Sequence, residues 1–183
     1  MTRALLACLA AALALAGCAA PPATTTPGEQ RPTPPSLGLF SRIKVPDGHE
    51  PALQFAARGV QIFRCERAGK AFEWRFRQPD AELVDARGAV VGRHGANFSF
   101  EHRDGSRLLG TVVAHDRAAA TGDLPWLLLS AQSFGKGEFA GVSYVQRVNT
   151  YGGMPPPACS AEQANRLLRV DFSADFVLYR PRG

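Results

Sequence analysis

Beyond its first 17 residues the sequence has no run of 18 uncharged apolar residues, although a membrane-spanning helix needs about 20. We therefore expect no transmembrane helix in the mature protein. The chain also has no block of five lysines or arginines, and arginine supplies 18 of the 21 basic residues behind the net charge of +5. Scattered basic residues favour an ordinary basic surface, so we expect no nucleic-acid partner.

Several catalytic and cofactor motifs are also missing. The chain has no Gly-x-Ser-x-Gly turn to expose an activated serine, no phosphate-binding glycine loop and no dinucleotide fingerprint. Its four cysteines include no Cys-x-x-Cys pair. We accordingly expect no cofactor and no resident metal.

The N-terminus resembles a bacterial lipoprotein signal. Arg3 supplies a positive charge, and residues 4–16 form an apolar run with the length of a signal-peptide core. Residues 15–18, Leu-Ala-Gly-Cys, resemble the lipobox that lipoprotein signal peptidase recognises. The sequence therefore predicts removal of residues 1–17 and attachment of diacylglycerol and palmitate at Cys18. The alternative is an ordinary secretory signal with an incidental cysteine.

Residues 18–38 are rich in proline, threonine and alanine, a composition typical of an extended tether that cannot fold by itself. The lipid would then attach the protein to the membrane. Ala19 follows the cysteine, at the position where aspartate retains enterobacterial lipoproteins in the inner membrane. We therefore expect the protein in the cell envelope, at the periplasmic face of the outer membrane, with a folded domain over residues 39–183.

Signal removal and lipidation would leave Cys65 and Cys159 as an even pair in an oxidising compartment. A disulfide between them would close a loop of about 95 residues and contribute about 4–5 kcal/mol in the chain-entropy model. A redox pair or a pair of metal ligands is the functional alternative. The missing Cys-x-x-Cys spacing favours the structural disulfide.

The folded region contains short alternating segments and no amphipathic helix of 12 or more residues. Asp104-Gly105 is a hairpin signal, and Leu127-Leu128-Leu129 is typical of a strand buried on both faces. Ser160 and Gln163 form a capping-box pattern, which predicts one short helix from Ala161 to about Leu167. We expect an all-β fold, a single antiparallel β-barrel or β-sandwich with at most one short helix. The candidate strands are residues 59–65, 72–76, 81–84, 89–93, 97–102, 107–114, 126–134, 142–149 and 170–179.

A set of short patterns recurs along the folded region in a specific order and spacing. They lie at residues 59–65, Trp74 and Phe76, 79–83, 91–94, 104–106, 124–129, 145–153, Cys159 and 174–179. Together they resemble the family called domain of unknown function 3455, found in exported bacterial and fungal proteins. The resemblance covers about residues 50–180 and implies no activity, because the family has no established one. The family usually has an aromatic Gly-Pro-x-Trp stretch after the histidine, whereas this chain has Gly-Ala-Asn-Phe-Ser-Phe at residues 95–100.

Arg147, Asn149 and Thr150 lie at the end of a candidate strand, before a Gly-Gly loop. A guanidinium there could hold a carboxylate or sugar oxygens, or it could order the loop by donating to backbone carbonyls. The sequence hypothesis is a non-catalytic binding or structural module, with a pocket for a small molecule or another envelope component as its partner. The candidate pocket residues are His94, Asp104, Ser106, Trp126, Arg147, Asn149 and Thr150.

An enzyme is the alternative hypothesis, hydrolytic or metal-dependent, using His94 with Asp104 or Asp116. A metal site would have to bring together at least two of His94, His102 and His115 from separate strands. Turns select Asp and Ser for backbone reasons, and a lone histidine at a strand end is more often structural. We therefore assign no catalytic residue and no metal ligand.

Overall fold

The computed structural model describes residues 32–183. Eight antiparallel strands, each hydrogen-bonded to the next in chain order, form one sheet, and the last strand pairs with the first to close a barrel. This confirms the all-β prediction. Within the described residues, no helix is long and apolar enough to cross a membrane. The strands are β1 His49–Ala68, β2 Ala71–Val84, β3 Val90–Gly95, β4 Ser99–His102, β5 Arg107–Asp116, β6 Trp126–Phe134, β7 Tyr144–Gly152 and β8 Leu167–Pro181.

The pairing of β1 with β8 closes the ring. It runs from His49 opposite Pro181 to Arg64 opposite Leu167. Because side chains alternate along each strand, closure sends one set into the barrel and the other to its outer wall. The main interior cluster is apolar and consists of Phe55, Ala57, Leu83, Val91, Phe100, Leu108, Leu127, Leu129, Phe139, Val142, Val145, Phe176 and Leu178.

Two of the candidate strands belong to one strand in the structure. Segments 72–76 and 81–84 are both part of β2, which continues through Pro79. β3 pairs with β2 only from Ala81 onward, so Pro79 lies on an unpaired edge, where its missing N–H is tolerated. β1 also starts earlier than predicted, at His49, because its first half pairs with β8 although it lacks β-branched residues.

The capping box of Ser160 and Gln163 forms as predicted, but the predicted extension of the helix to about Leu167 is wrong. A single helical turn forms and ends at Gln163, and β8 begins at Leu167. Asn165 takes a φ of 66°, and its N–H donates to the carbonyl of Cys65 at 2.9 Å. The chain is therefore drawn onto the edge of β1, and this tertiary hydrogen bond overrides the local helical signal.

The middle of β6 is buried on both faces, as its three leucines predicted. Leu127 and Leu129 pack in the interior, whereas Leu128 faces outward. Residues 37–45, which we call the outer segment, cover that wall. Ile43 of this segment is fully buried in a cluster with Leu128, and its carbonyl accepts a hydrogen bond from Gln146 Nε2 at 2.6 Å.

A disulfide joins Cys65 of β1 to Cys159 in the loop between β7 and β8, with a Cα–Cα distance of 6.0 Å. Cys65 is fully buried. The Cys159 N–H also donates to the carbonyl of Phe72, at 3.4 Å, so the loop is held to both β1 and β2. The predicted cysteine pairing is confirmed.

Replacing both Cys65 and Cys159 with alanine is expected to lower the free energy of unfolding by about 4–5 kcal/mol, because the disulfide closes a long loop in the unfolded chain. Urea denaturation of the variant and of wild-type protein measures this difference. Thiol labelling of denatured, non-reduced wild-type protein should leave both residues unmodified. Label found on either cysteine by peptide mass spectrometry would contradict the pairing.

Candidate functional site

His94 lies inside the barrel and is 1% exposed. Its cross-strand partners are Ala81 and Phe100, both buried, which places its ring on the interior face of β3. The ring stacks on Phe100 with centroids 4.3 Å apart and meets Phe176 edge-on at 5.0 Å. Nδ1 lies 2.9 Å from the carbonyl of Ser99 and would donate to it. Within residues 32–183, Nε2 makes no hydrogen bond.

Burial lowers the pKa of His94 from 6.5 to about 4; the hydrogen bond to Ser99 opposes this change, and the positive charge of Arg147 adds to it. The ring is therefore neutral at physiological pH.

Arg147 also points into the barrel. It is paired with Leu127 on one side and Phe176 on the other, both members of the interior cluster, and it is 6% exposed. Nε and Nη2 donate to a single carbonyl, that of Pro125, at 3.2 and 2.8 Å. No carboxylate among residues 32–183 lies within ion-pair distance of the guanidinium. Burial lowers its pKa to about 10, so it remains a cation.

Arg147 and His94 share one layer of the barrel interior. Their strands, β7 and β3, lie on opposite walls of the ring, so inward-facing side chains approach one another from two sides. Phe176 fixes their relative height, because it pairs with Arg147 and contacts the His94 ring. The positive charge of Arg147 helps to lower the pKa of His94 because the two residues lie in this same layer. One cation and one neutral imidazole thus lie in the same layer of a mainly apolar core.

Two further candidate residues lie close to Arg147 along the chain. Thr150 is buried, and its Oγ1 donates to the carbonyl of Leu124 at 2.5 Å. Asn149 is exposed at a register shift of β7, with a φ of 49°, and its Nδ2 donates to Asp175 at 2.8 Å. Thr150 and Arg147 therefore both hold the segment before β6 in place, whereas Asn149 faces solvent.

Trp126, Asp104 and Ser106 lie elsewhere. Trp126 packs on the outer wall against the cluster that includes Ile43. Asp104 and Ser106 form the β4–β5 turn, at the Phe134 end of β6, and thus at the opposite end of the barrel from Arg147. The seven residues of the candidate pocket do not converge on one place.

Asp104 and Ser106 form a junction between two loops. Ser106 Oγ donates to Asp104 at 2.6 Å and accepts the Phe139 N–H at 3.1 Å, while Asp104 accepts the Glu138 N–H at 2.7 Å. The Ser106 hydroxyl and the N–H groups of Glu138 and Ser106 all donate to Asp104, and they hold the pKa of its carboxyl well below the usual range. Gly137 is required here, because a Cβ on it would lie 2.4 Å from the carboxylate.

The residues of the enzyme hypothesis have separate partners. Asp104 Oδ2 lies 3.0 Å from His102 Nδ1, and Asp116 accepts hydrogen bonds from Ser41 Oγ and the Arg42 N–H. Neither carboxylate contacts His94 in the described part of the chain. Across residues 32–183, no group of three or more His, Cys, Asp or Glu side chains is placed to hold a metal ion.

An open groove, which no local sequence pattern predicts, lies beside the interior layer. β3 and β4 are short, so β2 before Ala81 and β5 after Leu109 each lack a neighbour on one side. The groove between them has a volume of about 460 Å³. Its lining residues are Phe76, Arg77, Asn97, Phe98, Gly110, Thr111 and Val112.

Asn97 and Phe98 stand between this groove and the interior. Both have left-handed backbones, with φ of 56° and 51°, which is unfavourable for a non-glycine residue and especially for phenylalanine. The Phe98 ring centroid lies 6.3 Å from that of His94. The one sequence signal for this feature was the departure of residues 95–100 from the family pattern.

Stability should fall as pH is lowered from about 6.5 to about 4, because the unfolded chain binds a proton at His94 that the folded protein excludes. The loss from this group amounts to about 3 kcal/mol across that window. Replacing His94 with phenylalanine should flatten the dependence of urea unfolding on pH there. Replacing the exposed His115 with glutamine is the matched control. An unchanged pH dependence in the His94 variant would contradict the burial of a neutral ring.

Comparison with known proteins identifies one family. The model of the family described as "Protein of unknown function (DUF3455)" matches residues 46–180. No curated protein and no solved structure matches the chain. The match includes all of the interior layer and the groove.

Proposed function

Since the chain belongs to the family described as "Protein of unknown function (DUF3455)", a description that assigns no activity, we propose a function from its geometry. The protein is a non-catalytic binding module of the cell envelope, attached to the membrane by a lipid on Cys18. The observation that carries the proposal is the buried pair formed by Arg147 and His94, which has the chemistry to bind an anion and has no carboxylate or hydroxyl to drive catalysis.

The burial and the hydrogen-bond partners of the candidate catalytic residues favour a binding function over catalysis. A general base needs an accessible ring with a pKa near the working pH, and His94 is buried with a pKa of about 4. Ser106 is fully buried and uses its hydroxyl to join two loops. Nothing in residues 32–183 favours the hydrolytic or metal-dependent alternative.

One feature supports an exported protein. The disulfide between Cys65 and Cys159 is a bond that persists in oxidising compartments and is rare in the cytosol. The lipid on Cys18 would attach the protein to the periplasmic face of the outer membrane.

Replacing Cys18 with serine is expected to abolish incorporation of labelled palmitate and to release the protein from the membrane fraction, because the lipid has no other attachment point. Labelling in a bacterial host and fractionation of its membranes on a density gradient measure both effects. Replacing Cys8 with serine is the matched control and should leave labelling unchanged. Palmitate incorporation that survives the loss of Cys18 would contradict the proposal.

A further inference from the structure

We propose that the barrel interior between Arg147 and His94 is a binding site for a small organic monocarboxylate, which enters from the outer groove past Phe98. This inference rests on the proposed binding function and names its site and its ligand class. Three features of the described residues support it: a buried charge without a counter-charge, free hydrogen-bonding capacity, and a strained residue at the entrance.

The first feature is the charge of Arg147. Removing a cation from water costs several kcal/mol unless a counter-charge or a full set of acceptors replaces the solvent. Here Nε and Nη2 of Arg147 both donate to one carbonyl, that of Pro125, and Nη1 makes no hydrogen bond within residues 32–183. A carboxylate on the free side of the guanidinium would supply the missing charge and would accept two parallel hydrogen bonds.

Free polar atoms nearby extend the site. His94 Nε2 makes no hydrogen bond in the described chain, and its neutral ring is compatible with a ligand that brings a single negative charge. Gln61 lies further along the inner face of β1, two positions beyond Gly59, and is 2% exposed. Its Nε2 is buried without a hydrogen-bond partner among residues 32–183. A polar ligand atom could accept from this amide.

The surroundings of the pair select an apolar ligand body. Gly59 is opposite Ala81, which is in turn opposite His94, and Ala57 is opposite Ala174. Gly59 lies directly against Ala81, and Ala81 and Ala174 form a buried apolar cluster with Leu124 and Phe172. Together with the rings of Phe100, Phe176 and Phe98, they form an apolar environment that disfavours a doubly charged anion such as phosphate. One positive charge and apolar walls fit a monocarboxylate with a hydrocarbon or aromatic body.

The entrance is the third element. Phe98 lines the 460 Å³ groove on one side and contacts the ring of His94 on the other. Its left-handed backbone stores strain that a movement of residues 96–98 would release. Gly110 lies directly against Phe98, because a Cβ on Gly110 would lie 3.3 Å from the Phe98 Cβ. Phe98 is thus placed to separate the groove from the interior.

Calorimetric titration of the purified full-length protein with benzoate tests the proposal. Benzoate should bind, because it combines a single negative charge with an apolar body. Benzamide has the same shape but no charge, and inorganic phosphate has charge but no apolar body. Both should bind at least about tenfold more weakly than benzoate. Replacing Arg147 with glutamine should weaken benzoate binding by about 10–100-fold. Equal binding of benzoate and benzamide, or no binding of benzoate, would overturn the proposal.

Arg180 provides a matched control for the Arg147 variant. It also donates to two backbone carbonyls, those of Ala140 and Glu138, but from outside the interior layer. Replacing Arg180 with glutamine should leave benzoate affinity unchanged. Replacing Phe98 with alanine should raise the association rate constant measured by stopped flow; an unchanged rate would contradict entry past this ring.

The Arg147 variant could fail to fold, so a measurement on wild-type protein is also needed. Adding benzoate should shift the Nε–Hε signal of Arg147 in the ¹⁵N NMR spectrum, and an unchanged signal at saturating benzoate would refute the site. The outcome is separate from that of the palmitate experiment. Lipidation at Cys18 without benzoate binding would refute the proposed ligand site but not the membrane anchor. Benzoate binding without lipidation would refute the membrane anchor but not the ligand site.

Discussion

The return of β8 to β1 is the constraint on which the other features depend. An open sheet of these strands would expose one edge of β1 and one of β8, and residues on both faces would reach solvent. Pairing from His49 to Arg64 joins the two ends and gives the sheet an inside. The same closure sends Arg147 and His94 into a region that excludes water, and it leaves the outer wall to be covered by the outer segment and Ile43.

Closure is incomplete at one place, and this place lies beside the buried pair. The β3–β4 hairpin is too short to follow β2 and β5 along their whole length, so the ring has a gap on the side where Phe98 lies. Elsewhere the barrel is sealed by tertiary contacts with clear physical roles. The disulfide fixes the loop after β7 to β1, and Asp104 with Ser106 joins the β4–β5 turn to the loop before β7.

Local patterns predicted much of this fold. Alternation found every strand from β3 to β8 within a few residues, and the three leucines of β6 indicated burial on both faces. The cysteine pairing followed from the oxidising compartment that the N-terminal sequence predicts. Patterns failed where a distant partner decides the conformation: β2 continues through Pro79 because β3 has already ended there, and the helical signal after Ser160 yields to the hydrogen bond between Asn165 and Cys65.

The site was less predictable than the fold, because it too depends on partners that are distant in the sequence. Arg147 and His94 were singled out by residue type, but their placement in one layer depends on the registers of β3, β7 and β8, which no local pattern encodes. Asp104 and Ser106 belong to the other end of the barrel because the β4–β5 turn pairs with the far end of β6. The entrance at Phe98 depends on the length of the β3–β4 hairpin, and only the unusual sequence of residues 95–100 indicated it.

Nuclear Overhauser effects between benzoate and the protein test the central claim most directly, because they locate the ligand. Magnetisation transfer from the benzoate ring protons to the ring of Phe98 and to the methyl groups of Ala81 and Ala174 is the predicted result. Phe98 is adjacent to the His94 ring, Ala81 is opposite His94, and Ala174 precedes by two residues Phe176, which is opposite Arg147. Transfer confined to Thr111 and Val112, on the outer groove, would place the ligand outside the barrel and would contradict the claim.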